Sequence, residues 1–164
     1  MAEKKPVKML ITAVAAIAIC VVAALLIFIA ESDEDDKLIL SDGNTGDVYA
    51  EFDAYEGMEF GVSFIHSVNK SEVYEIYEIK SGKIILMKCI YSSFGAGVAT
   101  EIEDGQTLEY TDDGKMIIAN INREMSGLSY IVGTISDHVL RIEDKKISLR
   151  ELCGKNSVVR FEIQ

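Results

Sequence analysis

The sequence has very little proline and no tryptophan. Its only proline is Pro6, close to the amino terminus of the 164-residue chain. Proline has no backbone N–H and interrupts the interior strands of sheets, so its absence after residue 6 leaves every later segment able to pair fully. This composition permits extended sheets over almost the whole chain.

Residues that bind metals are also scarce. The chain has two histidines, His66 and His138, and three cysteines, Cys20, Cys89 and Cys153. No Cys-x-x-Cys pair occurs, which excludes the usual zinc-binding patterns. We therefore expect neither a metal ion nor another cofactor.

Basic charge is in short supply. The chain has 16 Lys and Arg against 27 Asp and Glu, and its first 30 residues hold three Lys and one Glu. Residues 31–164 therefore carry 13 basic and 26 acidic side chains, a net charge of −13. Such a surface repels nucleic-acid phosphates and anionic lipid head groups, so we expect no nucleic-acid partner.

One long apolar run is present. Residues 9–30 read MLITAVAAIAICVVAALLIFIA and contain no charged side chain. As a helix they span roughly 30 Å, the hydrocarbon thickness of a bilayer. Lysines precede the run and acidic residues follow it, which orients the amino terminus towards the cytoplasm. The prediction is a single-pass cell-membrane protein with a cytoplasmic stub (1–8), a lipid-embedded anchor (9–30), an acidic linker (31–37) and an extracytoplasmic domain (38–164).

Cleavage and lipidation of this segment are the alternatives. A signal peptide has an apolar region of about 7–15 residues that ends in a small-x-small cleavage site. The present run is longer, and Phe28 stands where the first small residue is required. Cys20 invites a lipoprotein interpretation, but the bulky Ile19 precedes it. These features favour an uncleaved anchor.

In an extracytoplasmic domain, Cys89 and Cys153 leave two possibilities open. They can form a disulfide outside the cell. Each lies in an apolar stretch, MKCIY or ELCGK, which suits a buried free thiol equally. Spacing along the chain does not show whether their Cα atoms come within about 7 Å, as a disulfide requires.

The remaining sequence alternates between apolar and polar residues with a period of two. No stretch after the anchor keeps helical apolar spacing over three turns. Turn sequences such as SDGNTG, DDG and the two-residue Ser81-Gly82 separate the strands. We predict an all-β domain, either an antiparallel sandwich or a partly open barrel. The predicted strands are 37–40, 48–52, 59–65, 73–80, 83–91, 116–120, 129–133, 139–142, 146–149 and 158–163.

His66 lies near a predicted hairpin. If residues 59–67 and 73–80 pair as antiparallel strands, His66 faces Glu75, within reach of an imidazole–carboxylate hydrogen bond. We interpret this pair as a structural cross-link rather than a catalytic one. Ser67, the next residue of the predicted strand, points to the opposite face and cannot complete a triad with His66.

A second motif follows the fifth strand, in SSFGAG. The backbone amides of Gly95, Ala96 and Gly97 suit an anion-binding nest, although a tight turn places glycines in the same way. With Ser93 as nucleophile and His66 as general base, these amides would stabilise an oxyanion and make a hydrolase. Both interpretations, turn and anion site, stay open.

Together the two motifs resemble a known family. HSVNKS followed by Val73 and Glu75, and SFGAG about twenty residues later, are similar to the bacterial family called domain of unknown function 1850. The sequence departs from that pattern at Glu72 and Ala99, where the family often has proline. The resemblance covers nearly the whole domain, and its motif residues here are His66, Ser67, Lys70, Glu75, Ser93, Phe94, Gly95, Ala96 and Gly97.

The resemblance implies a role in solute uptake. Members of the family that the sequence resembles are small exported or anchored proteins. They occur with TRAP-type transporters of the TAXI class, and no enzymatic activity is established for them. It implies a non-enzymatic accessory or binding module whose partner is the transporter's membrane subunit or solute-binding protein. A small ligand is expected where the hairpin of His66 meets residues 93–97, with Lys70 adding positive charge and the glycine amides receiving a carboxylate.

The apolar run generates a prediction about topology. Protease added to intact cells, with any outer membrane opened, should remove the domain at 38–164, because this domain lies outside the membrane. An antibody against the domain follows the loss, and a cytoplasmic protein serves as the control. Full protection of the domain in permeable envelopes would reverse the predicted orientation.

Overall fold

The computed structural model describes residues 36–68, 70–92 and 102–164. The predicted anchor at 9–30 and the motif residues Ser93, Phe94, Gly95, Ala96 and Gly97 lie outside these ranges. Within them, no helix has the length and apolar character needed to cross a membrane. Residues 36–164 form a compact unit.

Strands make up most of the described chain, with one short helix. In chain order the elements are β1 (Lys37–Asp42), β2 (Val48–Asp53), β3 (Glu59–Ile65), β4 (Glu72–Lys80), β5 (Lys83–Tyr91), β6 (Thr107–Tyr110), β7 (Met116–Ala119), β8 (Arg123–Glu124), β9 (Ser129–Ile131), β10 (His138–Ile142), β11 (Lys145–Ser148), α1 (Leu149–Cys153) and β12 (Val158–Ile163).

The strands form two antiparallel sheets. The smaller sheet has the order β2-β1-β12-β9, and the larger one has the order β11-β10-β3-β4-β5-β7-β6, with β8 paired to β5. The predicted all-β class with antiparallel pairing is therefore confirmed. Among the described residues the strands do not close into a barrel.

Both sheets contribute to one hydrophobic core. The ring of Phe60 on β3 stacks on the ring of Phe161 on β12, with centroids 5.9 Å apart. In strands such as β4 and β7, buried residues recur with a period of two, as the sequence pattern predicts. The largest fully buried side chains include Leu38, Leu40, Val62, Tyr77, Ile79, Leu140, Ile142 and Phe161.

All ten predicted strands are present, with bounds that agree to within two residues. The predicted hairpin between β4 and β5 is confirmed, with Ser81 and Gly82 both at positive φ, 51° and 67°. Two consecutive residues of positive φ give a turn whose twist matches that of the flanking strands.

Three elements were not predicted: β6, β8 and α1. All four residues of β6 are exposed, so no buried alternation marks it in the sequence. The helix α1 begins after Ser148, whose hydroxyl accepts a hydrogen bond from the Glu151 N–H at 3.0 Å. It ends at Gly154, with φ of 89°. Ser148 and Gly154 are typical cap residues and could have indicated the helix.

The predicted register between β3 and β4 is wrong. Glu75 pairs with Val62, four residues before His66. The strand ends at Ile65, and residues 66–71 form a turn in which the His66 N–H donates to the Ser71 carbonyl at 2.9 Å. Because the hairpin is centred two residues earlier in the sequence than predicted, the expected bond between His66 and Glu75 does not form.

Cys89 and Cys153 are free thiols, in agreement with the second of the two possibilities. Cys89 is buried on the inward face of β5, and Cys153 lies at the end of α1. Burial raises the pKa of Cys89 to about 12, and the negative charge of Glu75 contributes. Burial also raises the pKa of Cys153 to about 11. Neither thiol is activated for chemistry at neutral pH.

Candidate functional site

An open cleft of about 320 Å³ lies beside the 66–71 turn. One wall consists of residues 64–67 and 70, and the opposite wall consists of residues 133–136 and 138. The volume is at the lower end of the range of small-molecule sites, about 300–1,000 Å³. Residues 133–137, between β9 and β10, are called the 133–137 loop below.

Backbone hydrogen bonds fix the shape of the 66–71 turn. The Lys70 N–H donates to the His66 carbonyl at 2.9 Å, and Lys70 has a φ of 55°. Nδ1 of His66 accepts a bond from the Val68 N–H at 3.4 Å. In the neutral ring the proton is therefore on Nε2. The turn presents this imidazole and the exposed Lys70 side chain next to one another.

His138 holds the other wall of the cleft. Its ring stacks on Phe64, with centroids 5.1 Å apart, and its Nδ1 accepts a bond from the Gly133 N–H at 3.3 Å. Burial lowers the pKa of His138, and the nearby charge of Arg150 acts in the same direction, whereas Asp137 opposes it. The ring is thus kept neutral, with Nδ1 available as an acceptor.

The 133–137 loop is fastened to α1. The Asp137 carboxylate accepts bonds from the Ser148 hydroxyl at 2.5 Å and from the Arg150 N–H at 3.1 Å. The Arg150 guanidinium donates to the Gly133 carbonyl at 3.1 Å. Gly133 has no space for a side chain, because a Cβ there would lie 2.3 Å from the Ser136 carbonyl oxygen. The loop is therefore preformed.

Glu75 lies beneath this site and points into the domain. Its Oε2 accepts a hydrogen bond from the Tyr77 hydroxyl at 2.9 Å and another from the Tyr130 hydroxyl. The two hydroxyl oxygens are 2.5 Å apart. Burial raises the pKa of Tyr77 and of Tyr130 above the ordinary value of a tyrosine, and the negative charge of Glu75 acts in the same direction. Both hydroxyls therefore stay protonated.

This carboxylate cluster connects the two sheets to the cleft. Glu75 and Tyr77 belong to β4 of the larger sheet, and Tyr130 belongs to β9 of the smaller one. The Tyr130 ring contacts Phe64 and His138, with centroid distances of 6.1 and 5.7 Å. Tyr130 thereby supports the aromatic floor of the cleft.

The predicted motif residues divide into three groups. His66, Ser67 and Lys70 line the same cleft. The prediction that Ser67 points away from His66 rested on a strand that continued through Ser67, and β3 ends at Ile65. Glu75 lies in the carboxylate cluster instead. The other motif residues, at 93–97, lie outside the described residues, and the hydrolase alternative that needs Ser93 stays a prediction.

The sequence did not predict the second wall of the cleft. Gly133, Ile135 and His138 line it, and Tyr130 supports it. Only His138 carried a signal, as one of two histidines in the chain. Over residues 36–68, 70–92 and 102–164, no group of three or more His, Cys, Asp or Glu side chains is arranged to hold a metal ion.

A family model described as "Domain of unknown function (DUF1850)" matches residues 60–149, more than half of the chain. The chain belongs to the DUF1850 family. No curated protein and no solved structure matches it. The range of the DUF1850 match includes both walls of the cleft as well as Glu75, Tyr77 and Tyr130.

The carboxylate cluster of this DUF1850 domain generates a prediction about stability. Tyr130→Phe removes one donor to a partly buried carboxylate and should lower the free energy of unfolding by about 1–3 kcal/mol. Urea unfolding followed by circular dichroism measures the change, since the chain has no tryptophan to report by fluorescence. The matched control is Tyr49→Phe, which removes a bond to Asp42, whose carboxylate also accepts the Asn44 and Thr45 N–H groups, and should cost less. Equal losses in the two variants would contradict the assigned role of Glu75.

His138 predicts how the stability of the DUF1850 domain depends on pH. Its pKa in the folded state is lower than the 6.5 of an exposed histidine. Above pH 6.5 the ring is neutral in both the folded and the unfolded chain. As the pH falls through 6.5, the unfolded chain takes up the proton first, so the free energy of unfolding decreases. His138→Asn retains an acceptor for the Gly133 N–H and should show a weaker decrease between pH 8 and 5. Identical pH profiles would exclude His138 as the source.

Proposed function

We propose that this DUF1850 chain is a membrane-anchored, extracytoplasmic binding module with no enzymatic activity of its own. We further propose that it acts with a solute transporter of the TRAP class. The observation that supports this proposal is the preformed cleft of about 320 Å³ between the 66–71 turn and the 133–137 loop. A rigid cleft loses little conformational entropy when a ligand enters, which favours binding.

The chemistry of the cleft favours a carboxylate ligand. Lys70 supplies a positive charge, and no carboxylate within the described ranges forms an ion pair with it. The His66 ring adds an N–H donor. The two carboxylates nearby are engaged elsewhere: Glu72 accepts a bond from Arg141 at 3.3 Å, and Asp137 is bound by Ser148 and Arg150.

Apolar side chains form part of the remaining lining of the cleft, beside Ser67, Thr134 and Ser136. Phe64, Ile65 and Ile135 belong to its lining. An organic acid places its carboxylate against Lys70 and His66 and its carbon skeleton against these side chains. The net charge of −13 on residues 31–164 opposes long-range attraction of anions, so affinity depends on these local donors.

The anchor at 9–30 gives this binding activity a location. Confinement to the membrane raises the effective concentration of the domain near membrane partners. The partners proposed are the membrane subunit of the transporter or its solute-binding protein. Affinity purification of the full chain from membranes identifies which of these it contacts.

Transport measurements test the proposal. Deletion of the gene should reduce the uptake of at least one radiolabelled organic acid, and the native gene should restore it. The variant Lys70→Ala loses a charge-assisted hydrogen bond and should raise the concentration for half-maximal uptake by about tenfold. The matched control is Lys146→Ala, which changes an exposed lysine on the edge strand β11.

Immunoblots of the membranes confirm that all variants are present at equal levels. Unchanged uptake of every organic acid after deletion would overturn the transporter role. Equal effects of the Lys70 and Lys146 substitutions would remove the cleft from the proposal.

A further inference from the structure

Three exposed aliphatic side chains surround the cleft. Ile135 in the 133–137 loop is 90 % exposed, Val68 in the 66–71 turn is 65 % exposed, and Ile65 at the end of β3 is 41 % exposed. They stand on both sides of the opening. Together these three residues are called the apolar rim. Exposed aliphatic clusters of this kind typically mark a surface that another molecule covers.

A small ligand in the cleft contacts Ile65 and Ile135 only where they border the cleft, and it leaves Val68 uncovered. The cleft holds about 320 Å³, and Val68 is not part of its lining. Ile135 projects almost entirely into water even though its residue borders the cleft. Only an occupant that extends beyond the opening can bury all three side chains at once.

The apolar rim is held by rigid elements. The 66–71 turn is closed by two backbone hydrogen bonds of 2.9 Å each. The 133–137 loop is bonded to α1 through Asp137 and Arg150. A preformed apolar surface next to a positive charge, that of Lys70, has the features of a protein docking site.

The rim lies at the end of the domain opposite to the point where the chain enters it. At one end of β12, the Lys37 N–H donates to the Gln164 carbonyl at 2.7 Å. At the other end, the Val132 N–H donates to the Ser157 carbonyl at 2.9 Å, directly before the 133–137 loop. The six residues of β12 between these points span about 20 Å.

Charge disfavours lipid as the occupant, because the net charge of −13 on residues 31–164 repels anionic head groups. The same charge, present on each copy, opposes contact with a second copy of this chain.

We propose that the apolar rim docks a soluble extracytoplasmic protein, whose contact surface is apolar and places a carboxylate opposite Lys70. This inference rests on the proposed function and specifies which kind of transport partner the domain contacts. Any contact with the membrane subunit then uses another surface of the domain. The docked protein covers the opening of the cleft, so binding of a ligand and docking of the partner share one site.

Site-specific photocrosslinking of the full chain in the cells that make it tests this proposal. The photoreactive amino acid p-benzoylphenylalanine replaces Val68 or Ile135 in the apolar rim. The matched control is replacement of Tyr55, which is 59 % exposed. Tyr55 lies near the chain entry, next to Ala54, whose N–H donates to the Asp36 carbonyl at 2.7 Å.

The expected result is one discrete protein adduct from Val68 and Ile135 that Tyr55 does not give. Mass spectrometry should identify this protein as soluble and extracytoplasmic, and Lys70→Glu in the same chain should reduce its yield at least fivefold. An adduct with lipid, an integral membrane protein or a second copy would overturn the proposal. Equal labelling from Tyr55, or no adduct from either rim position, would overturn it as well.

The uptake measurements separate this proposal from the proposed function. If deletion reduces uptake while the rim crosslinks to an integral membrane protein, the transport role stands and soluble docking is wrong. If the soluble adduct forms and deletion leaves uptake unchanged, docking stands and the transport role is wrong.

Discussion

The two-sheet structure depends on how the carboxylate of Glu75 is accommodated. A charged group on the inward face of a strand is costly to bury unless hydrogen bonds replace its water. Here one tyrosine hydroxyl comes from the same strand and the other, that of Tyr130, comes from the opposite sheet. The bond from Tyr130 joins β9 to β4 at this point.

The same constraint extends to the cleft. Tyr130 bonds Glu75 through its hydroxyl and packs its ring on Phe64 and His138. His138 then accepts the Gly133 N–H and orders the 133–137 loop. The cleft is thus built on a continuous series of contacts that begins at a partly buried carboxylate. This series accounts for the position of the 133–137 loop, which forms one wall of the opening.

Predictions from the sequence were accurate for most local features, missed β6, β8 and α1, and were wrong for one long-range feature. Alternation of apolar and polar residues predicts the strands β3, β4 and β5, and turn chemistry predicts the Ser81-Gly82 hairpin. Both signals act within a few residues. The pairing of His66 with Glu75 failed because the hairpin is centred two residues earlier in the sequence than predicted. A shift of four residues retains the correct face for each side chain, so the hydrophobic pattern gave no warning of it.

The sequence by itself determined the all-β class, the positions of the strands and the family to which the chain belongs. It also placed His66, Ser67 and Lys70 in one short motif. Only the tertiary structure decided that these residues face Gly133 and His138, which come more than sixty residues later, and that Glu75 bonds Tyr130 rather than His66. The reason is physical: a period-two pattern specifies the face on which a side chain lies, whereas its partner depends on turn lengths and on the packing of one sheet against the other.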